Sequence, residues 1–218
     1  MSFDIDLALS VLTEELKKFN LPMVDALVEQ KKADPFRVVV STLLSARTKD
    51  STTGPASERL FTLAQTPERM SQLSLEQIEE AIYPVGFWRN KAKHILALCK
   101  ILIEEYDSQV PNTVDQLVKL PGVGRKTANL VVTRGFGLPG ICVDTHVFRI
   151  TKRWGYTTGS NPEKVEFELR RKLPKKWWIP INGLLVTHGQ NICTPISPKC
   201  SQCPINNICP KIGVEKHR

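Results

Sequence analysis

Residues 111–133 read PNTVDQLVKLPGVGRKTANLVVT, and the fold turns on how this stretch is punctuated. Thr113 followed by Gln116 resembles a capping box, which opens a helix running through Leu120. Pro121-Gly122-Val123-Gly124 then forces a tight turn, its two glycines standing where backbone must approach something closely. From Arg125 a second helix resumes, with Ala128, Leu130, Val131 and Val132 available for packing. A glycine turn feeding a helix N-terminus presents unpaired N–H groups at the positive end of the helix dipole. That is a phosphate site indifferent to base identity. The plain alternative is a helix–turn–helix corner that binds nothing. A Walker A loop is excluded, because G-x-x-x-x-G-K-[ST] is not met.

Outward from this hairpin the apolar period stays helical. Val38, Val39 and Val40 with Leu43 and Leu44 form an almost wholly apolar stretch, as in a helix at the centre of a bundle. Ile95, Leu98, Leu102 and Ile103 make a stripe, and Val165, Leu169 and Leu173 repeat every four residues. The runs VVVST and LVVT are β-branched, but they are short and set among helical patterns, so they read as buried helix segments. Up to Pro180 most successive prolines lie 10–27 residues apart, a helix plus its connection. The expected fold class is all-α.

Two candidate chemical residues flank the hairpin. Lys126 falls in the first turn of the second helix, where the dipole disfavours the ammonium and burial would disfavour it further. A neutral amine there attacks an electrophilic carbon; a second phosphate contact beside Arg125 is the alternative. Asp144, in CVDTHVFRITKRW, precedes an apolar-periodic segment (Val147, Phe148, Ile150) and should N-cap it. A carboxylate held that way is fixed in place and can still face a reacting group. His146 reads first as a structural hydrogen-bonder, and Arg149, Lys152 and Arg153 continue a basic face.

Of the six cysteines, Cys99 and Cys142 stand alone in apolar stretches and read as buried hydrophobes. Cys193, Cys200, Cys203 and Cys209 crowd into a C-x6-C-x2-C-x5-C loop with Pro195, Pro198, Pro204 and Pro210, which make it irregular. The chain opens MSFDIDLALS, without a secretory signal, so disulfides are disfavoured. Four thiolates in one loop point to a metal. Structural zinc commonly uses two separated C-x-x-C knuckles, and only one occurs here, so the spacing suits a 4Fe–4S cubane better than zinc.

The composition, 41% hydrophobic and 24% charged, is that of a globular chain, and no apolar run approaches a membrane span. Charge is uneven. Residues 1–144 carry 17 basic and 18 acidic side chains, whereas 145–218 carry 13 and 4. A basic rear half suits a polyanion, or else is a solvated face without a partner.

LPGVGRKTAN, VDTHVFR and the four-cysteine ending, in that order, resemble the endonuclease III-like DNA glycosylases of the helix–hairpin–helix (HhH-GPD) superfamily. The resemblance covers roughly residues 28–210. It implies two helical domains flanking a DNA-binding cleft: a six-helix barrel at 28–138, and 1–27 plus 139–218 as a domain carrying a 4Fe–4S cluster on the four cysteines. It makes Lys126 the nucleophile and Asp144 its acidic partner, in base-excision repair that removes oxidised, mainly pyrimidine, bases from duplex DNA and cleaves the abasic site by β-elimination. The implied partner is duplex DNA with damaged bases or abasic sites, bound by a monomer of a prokaryotic, cytoplasmic, nucleoid-associated kind, with no membrane. Gly122, Val123, Gly124 and Arg125 would meet the backbone. Phe87 and Trp88, in YPVGFWRNK, match the loop that wedges into the duplex, with core packing as the alternative. Arg89 and Lys91 would grip flanking phosphates, and His146, Arg149 and Lys199 complete the expected DNA contacts.

Branches of the superfamily differ at the nucleophile. The adenine-excising branch carries a glutamate where Thr42 aligns and lacks the lysine; the thymine-mismatch branch has tyrosine in the lysine's place. Neither pattern occurs here. One departure stands out: Ser45-Ala46-Arg47 replaces the usual S-A-Q or S-S-Q, and an arginine in place of the gap-filling glutamine bears on lesion range and opposite base. Rival readings are a glycosylase of altered lesion or mismatch specificity, a DNA-binding iron–sulfur protein without catalysis, and a zinc-stabilised structural protein.

Overall fold

The computed structural model describes residues 3–19 and 34–218, and every regular element among them is helical, as the sequence pattern implies. The α-helices are α1 (Ile5–Glu15), α2 (Pro35–Ser45), α3 (Asp50–Leu63), α4 (Pro67–Ser71), α5 (Leu75–Ile82) and α6 (Trp88–Glu105). They continue as α7 (Val114–Leu117), α8 (Arg125–Gly135), α9 (Thr145–Arg153), α10 (Pro162–Lys172) and α11 (Pro180–Asn191). Among these residues no helix is long and apolar enough to cross a membrane.

Local chemistry sets the boundaries. Asp34, Thr66, Ser74, Asp144 and Asn161 cap helices with side-chain oxygens, and Pro35, Pro67, Pro162 and Pro180 occupy first helical positions, where a missing N–H costs nothing. Thr113 does cap α7, accepting from Gln116 N, but the helix ends at Leu117 instead of reaching Leu120. The chain tightens there into i→i+3 bonds, Lys119 to Gln116 and Leu120 to Leu117. Pro121 explains this, since it disfavours helical backbone in the residue before it.

The described residues form two compact units, 34–138 and 3–19 with 139–218. The boundary expected at 27/28 lies outside the described residues. In the 34–138 unit α2 packs on α8, burying Val38, Val39, Val40, Leu43 and Leu44 with Leu130, Val131 and Val132. The β-branched runs are therefore buried helix, as their surroundings suggested. α6 backs α4 and α5 with Ile95, Leu98 and Leu102. Ile103 is 37% exposed, because one further residue turns it about 100° off the stripe. Cys99 is a buried hydrophobe, its thiol pushed up to about 12 by burial.

The second unit has its own core. Leu9 and Leu12 of α1 share one buried cluster with Val147, Ile150, Trp154, Val165, Leu169, Ile181 and Leu185. Each such side chain contributes roughly 1.5–3 kcal/mol on burial. Phe3 stacks on Trp154 at 5.1 Å, and Asp6 accepts from Trp177 Nε1 at 2.6 Å and Lys176 Nζ at 2.8 Å, fastening α1 to the segment before α11.

Candidate functional site

The two hairpin glycines have different reasons. Gly122 takes φ +76°, and a Cβ there would meet His94 Nδ1 at 2.8 Å and Leu43 Cδ1 at 3.1 Å. Its own chain demands glycine. Gly124 caps α8 without a side chain, and nothing lies within 4 Å of where its Cβ would stand. The space beside it is open to an incoming group, at the end of α8 where N–H donors and dipole favour an anion. Val123 is buried and Arg125 half-buried. Lys126 is exposed: in the first turn of α8 it points away from the core.

Arg47 and Phe87 form a second feature of this unit. Both are exposed, both have left-handed backbone (φ 55° and 59°), and the Arg47 guanidinium lies 5.8 Å from the Phe87 ring centroid. With Gly122 and His94 they line one open pocket. Trp88 is half-buried, beside Tyr83 and beneath Arg89 at 4.1 Å. Lys91 corrects the sequence reading: it is 6% exposed and turned into the unit, not toward flanking phosphates. Its helix places it one turn from Phe87 on the inner face.

In the other unit Asp144 caps α9 as expected, with Oδ1 accepting from His146 N and Val147 N, each at 2.8 Å. The side chains of His146 and Arg149, expected at DNA, are turned inward. Arg149 Nη2 lies 3.1 Å from His146 Nδ1 and donates to the Cys193 carbonyl at 2.9 Å. Burial lowers the Arg149 pKa from its ordinary value. Gly189 of α11 lets them in, since a Cβ there would collide with the His146 ring and approach Arg149 Nη2 to 3.0 Å. Arg153 also leaves the expected basic face. It donates to Cys193 Sγ at 3.2 Å, Thr194 O at 2.8 Å and Pro195 O at 2.8 Å. The cause is common to both: an irregular loop has carbonyls without helical partners, and two arginines from α9 supply the donors.

Cys193, Cys200, Cys203 and Cys209 are half-buried and line one pocket with Arg153, His188 and Lys199. Burial first, then the charge of the other three cysteines, pushes the Cys203 thiol up to about 11. Thiolates gathered so closely in an apolar lining need cationic partners, which fits an iron–sulfur cluster. Among the described residues no three His, Cys, Asp or Glu side chains are grouped tightly enough for a single ion. Lys199 is half-buried and belongs to the pocket wall, while the loop's outermost side chain is Ile196, 87% exposed. Sequence reasoning passed over His188. It is 1% exposed, held neutral by burial with its pKa pushed down to about 4, and its Nε2 lies 3.9 Å from Cys203 Sγ. The one available signal was a histidine in an otherwise uncharged helix, five residues before the first clustered cysteine.

Comparison with known proteins adds relatives. Residues 40–175 match the model of the HhH-GPD superfamily base excision DNA repair proteins, and 193–209 that of the iron–sulfur binding domain of endonuclease III. Endonuclease III of Thermotoga maritima is 44% identical over 179 residues, 82% of this chain and 84% of that protein. That of Escherichia coli K12 is 37% identical, over 81% and 84%. A solved non-covalent endonuclease III–DNA complex matches with TM-score 0.77 and 36% identity, covering 86% of this chain and 92% of that one.

Proposed function

From the premise that this chain belongs to the HhH-GPD superfamily of base excision DNA repair proteins, we propose how its residues carry out the reaction. The chain is a base-excision-repair DNA glycosylase and abasic-site lyase that binds damaged duplex DNA and carries a 4Fe–4S cluster. The hairpin amides around Gly122–Arg125 take the backbone phosphates, and the damaged nucleotide is rotated out of the stack. Arg47 and Phe87 fill the vacated space, with Trp88 the next residue of the chain. The Lys126 amine forms a bond to C1′ of the sugar as the C1′–N glycosidic bond breaks and the base leaves with its electron pair and a proton. Asp144 stabilises the positive charge on the sugar and carries the proton transfer. Ring opening leaves a C1′ iminium. A base takes a 2′ proton, the C–H electron pair is drawn toward the iminium, and the C3′–O bond breaks to release the 3′-phosphate by β-elimination.

Oxidised pyrimidines are the substrate class this reading favours. Cys193, Cys200, Cys203 and Cys209 would hold the cluster, which when bound braces the loop; Lys199 is the loop's candidate phosphate contact. The two compact units are taken as the two domains of the family, and the DNA substrate puts the site of action at the nucleoid. The observation that carries the assignment is Lys126, exposed in the first turn of α8 directly after a glycine hairpin whose outer side is open. The test is borohydride trapping on an abasic-site oligonucleotide. Wild type should cross-link and Lys126→Gln should not, while still binding duplex. Cross-linking by the variant at wild-type yield would assign the nucleophile elsewhere.

A further inference from the structure

A lysine is almost never fully buried without partners. Lys91, in the first turn of α6, has three: Leu44 O at 2.7 Å, Ala46 O at 2.7 Å and Thr48 Oγ1 at 3.3 Å. Three N–H groups thus meet three acceptors, and the ammonium has no donor left for a phosphate. The two carbonyls belong to the end of α2, where a helix leaves orphan acceptors and its dipole favours a cation. Thr48 extends the connection, since its Oγ1 accepts from Gly86 N at 3.0 Å. Gly86 lies so close that a Cβ on it would stand 3.0 Å from Arg47 O.

These anchor points bracket the two protruding side chains. Arg47 sits between Ala46 and Thr48, and Phe87 between Gly86 and the turn that bears Lys91. Each of the pair holds a left-handed backbone that a side-chain-bearing residue keeps only when its surroundings over-determine it. We propose that Lys91 is a positioning residue that latches the Arg47 and Phe87 loops together as one preformed wedge, without touching DNA itself. This rests on the reading of Arg47 and Phe87 as the side chains that fill the vacated stack. A preformed wedge loses its freedom on folding, so that ordering cost is absent when the stack opens.

The test uses a duplex carrying a tetrahydrofuran abasic analogue next to 2-aminopurine, whose fluorescence rises when it is unstacked. Wild type, Lys91→Met and Thr48→Val are titrated against it, and the salt dependence of binding to undamaged duplex is measured in parallel. Lys91→Met should reduce the rise about threefold, the scale of coupling a positioning residue carries, with the salt slope unchanged. A full rise in Lys91→Met would overturn the latch while leaving the wedge standing. A slope shallower by about one would make Lys91 a phosphate contact and overturn it equally. No rise in wild type would remove the wedge reading itself, and the latch with it. Should Lys91→Met not fold, Thr48→Val decides, because it cuts the link to Gly86 and keeps the ammonium. A reduced rise supports the latch, and an undiminished one sinks it.

Discussion

Asp144 serves structure and chemistry through the same carboxylate, and the two roles separate by substitution. Asparagine caps helices about as well as aspartate, so Asp144→Asn should keep α9 and stability within about 1 kcal/mol. It removes the negative charge, so excision should fall by roughly 10²–10³-fold if that charge faces the reacting sugar. Asp144→Ala should show the same loss of excision with a further drop in melting temperature. Equal activity of Asn and wild type would reduce Asp144 to a cap. Lys91 offers a pH signature. Burial moves its pKa from the ordinary 10.5 to about 8. Between those values the unfolded chain holds a proton the folded chain has released, so this group makes stability rise with pH across that window. Below about pH 8 its penalty is fully present. Urea unfolding at several pH values should show that rise in wild type and a flatter profile in Lys91→Met. At this scale the sequence was readable where the backbone alone sets the role, as at Asp144 and Gly122. It failed at Lys91, Arg149 and Arg153, because a basic side chain's surroundings come from partners distant in the chain: Leu44 for Lys91, Cys193 for both arginines.

Elements were legible wherever a cap, a proline or an apolar period marked them, and α2, α8 and α9 fell where those signals put them. The four-cysteine loop was legible as a metal loop because spacing carries its chemistry, but what holds it was not. α9 is the missing part. Its Arg149 and Arg153 reach across to Cys193 O, Cys193 Sγ, Thr194 O and Pro195 O. A helix that reads as a DNA-facing basic stripe is therefore also the clamp of the loop. Arg153→Ala should leave helix content unchanged, bleach the cluster's visible colour faster in air, and lower duplex affinity through the loosened loop. Lys199→Ala should keep the colour and shallow the salt slope by about one unit, as expected of a phosphate contact. An Arg153→Ala protein that keeps its colour as long as wild type would show that the clamp is dispensable.

For the molecule as a whole, net charge and domain make-up give two expectations. Binding to undamaged duplex should weaken with salt at a slope of about −0.9 per phosphate neutralised, since hairpin and loop contacts read no base. A flat salt profile would contradict a backbone-led mode of binding. The two units have separate cores, and only one carries the cysteine loop. Stripping the iron should therefore destabilise the unit of 3–19 and 139–218 and spare that of 34–138. With Trp88 replaced by phenylalanine, urea unfolding of the stripped protein should then give non-coincident transitions by circular dichroism and by the fluorescence of Trp154, Trp177 and Trp178. Coincident curves would mean that the two cores melt as one.

The packing of α1 against α11 also orders events during synthesis. α1 leaves the ribosome well before Val147, Ile150, Trp154 and Leu185, which share a buried cluster with Leu9 and Leu12 and lie beyond residue 138. The stretch 20–138 must be translated before any of them exists, about 10 s at ordinary elongation rates. Throughout that delay the apolar side chains of α1 lack the partners that bury them in the folded chain, while the contiguous 34–138 unit has all its residues and can fold. A segment made early is thus among the last to be housed.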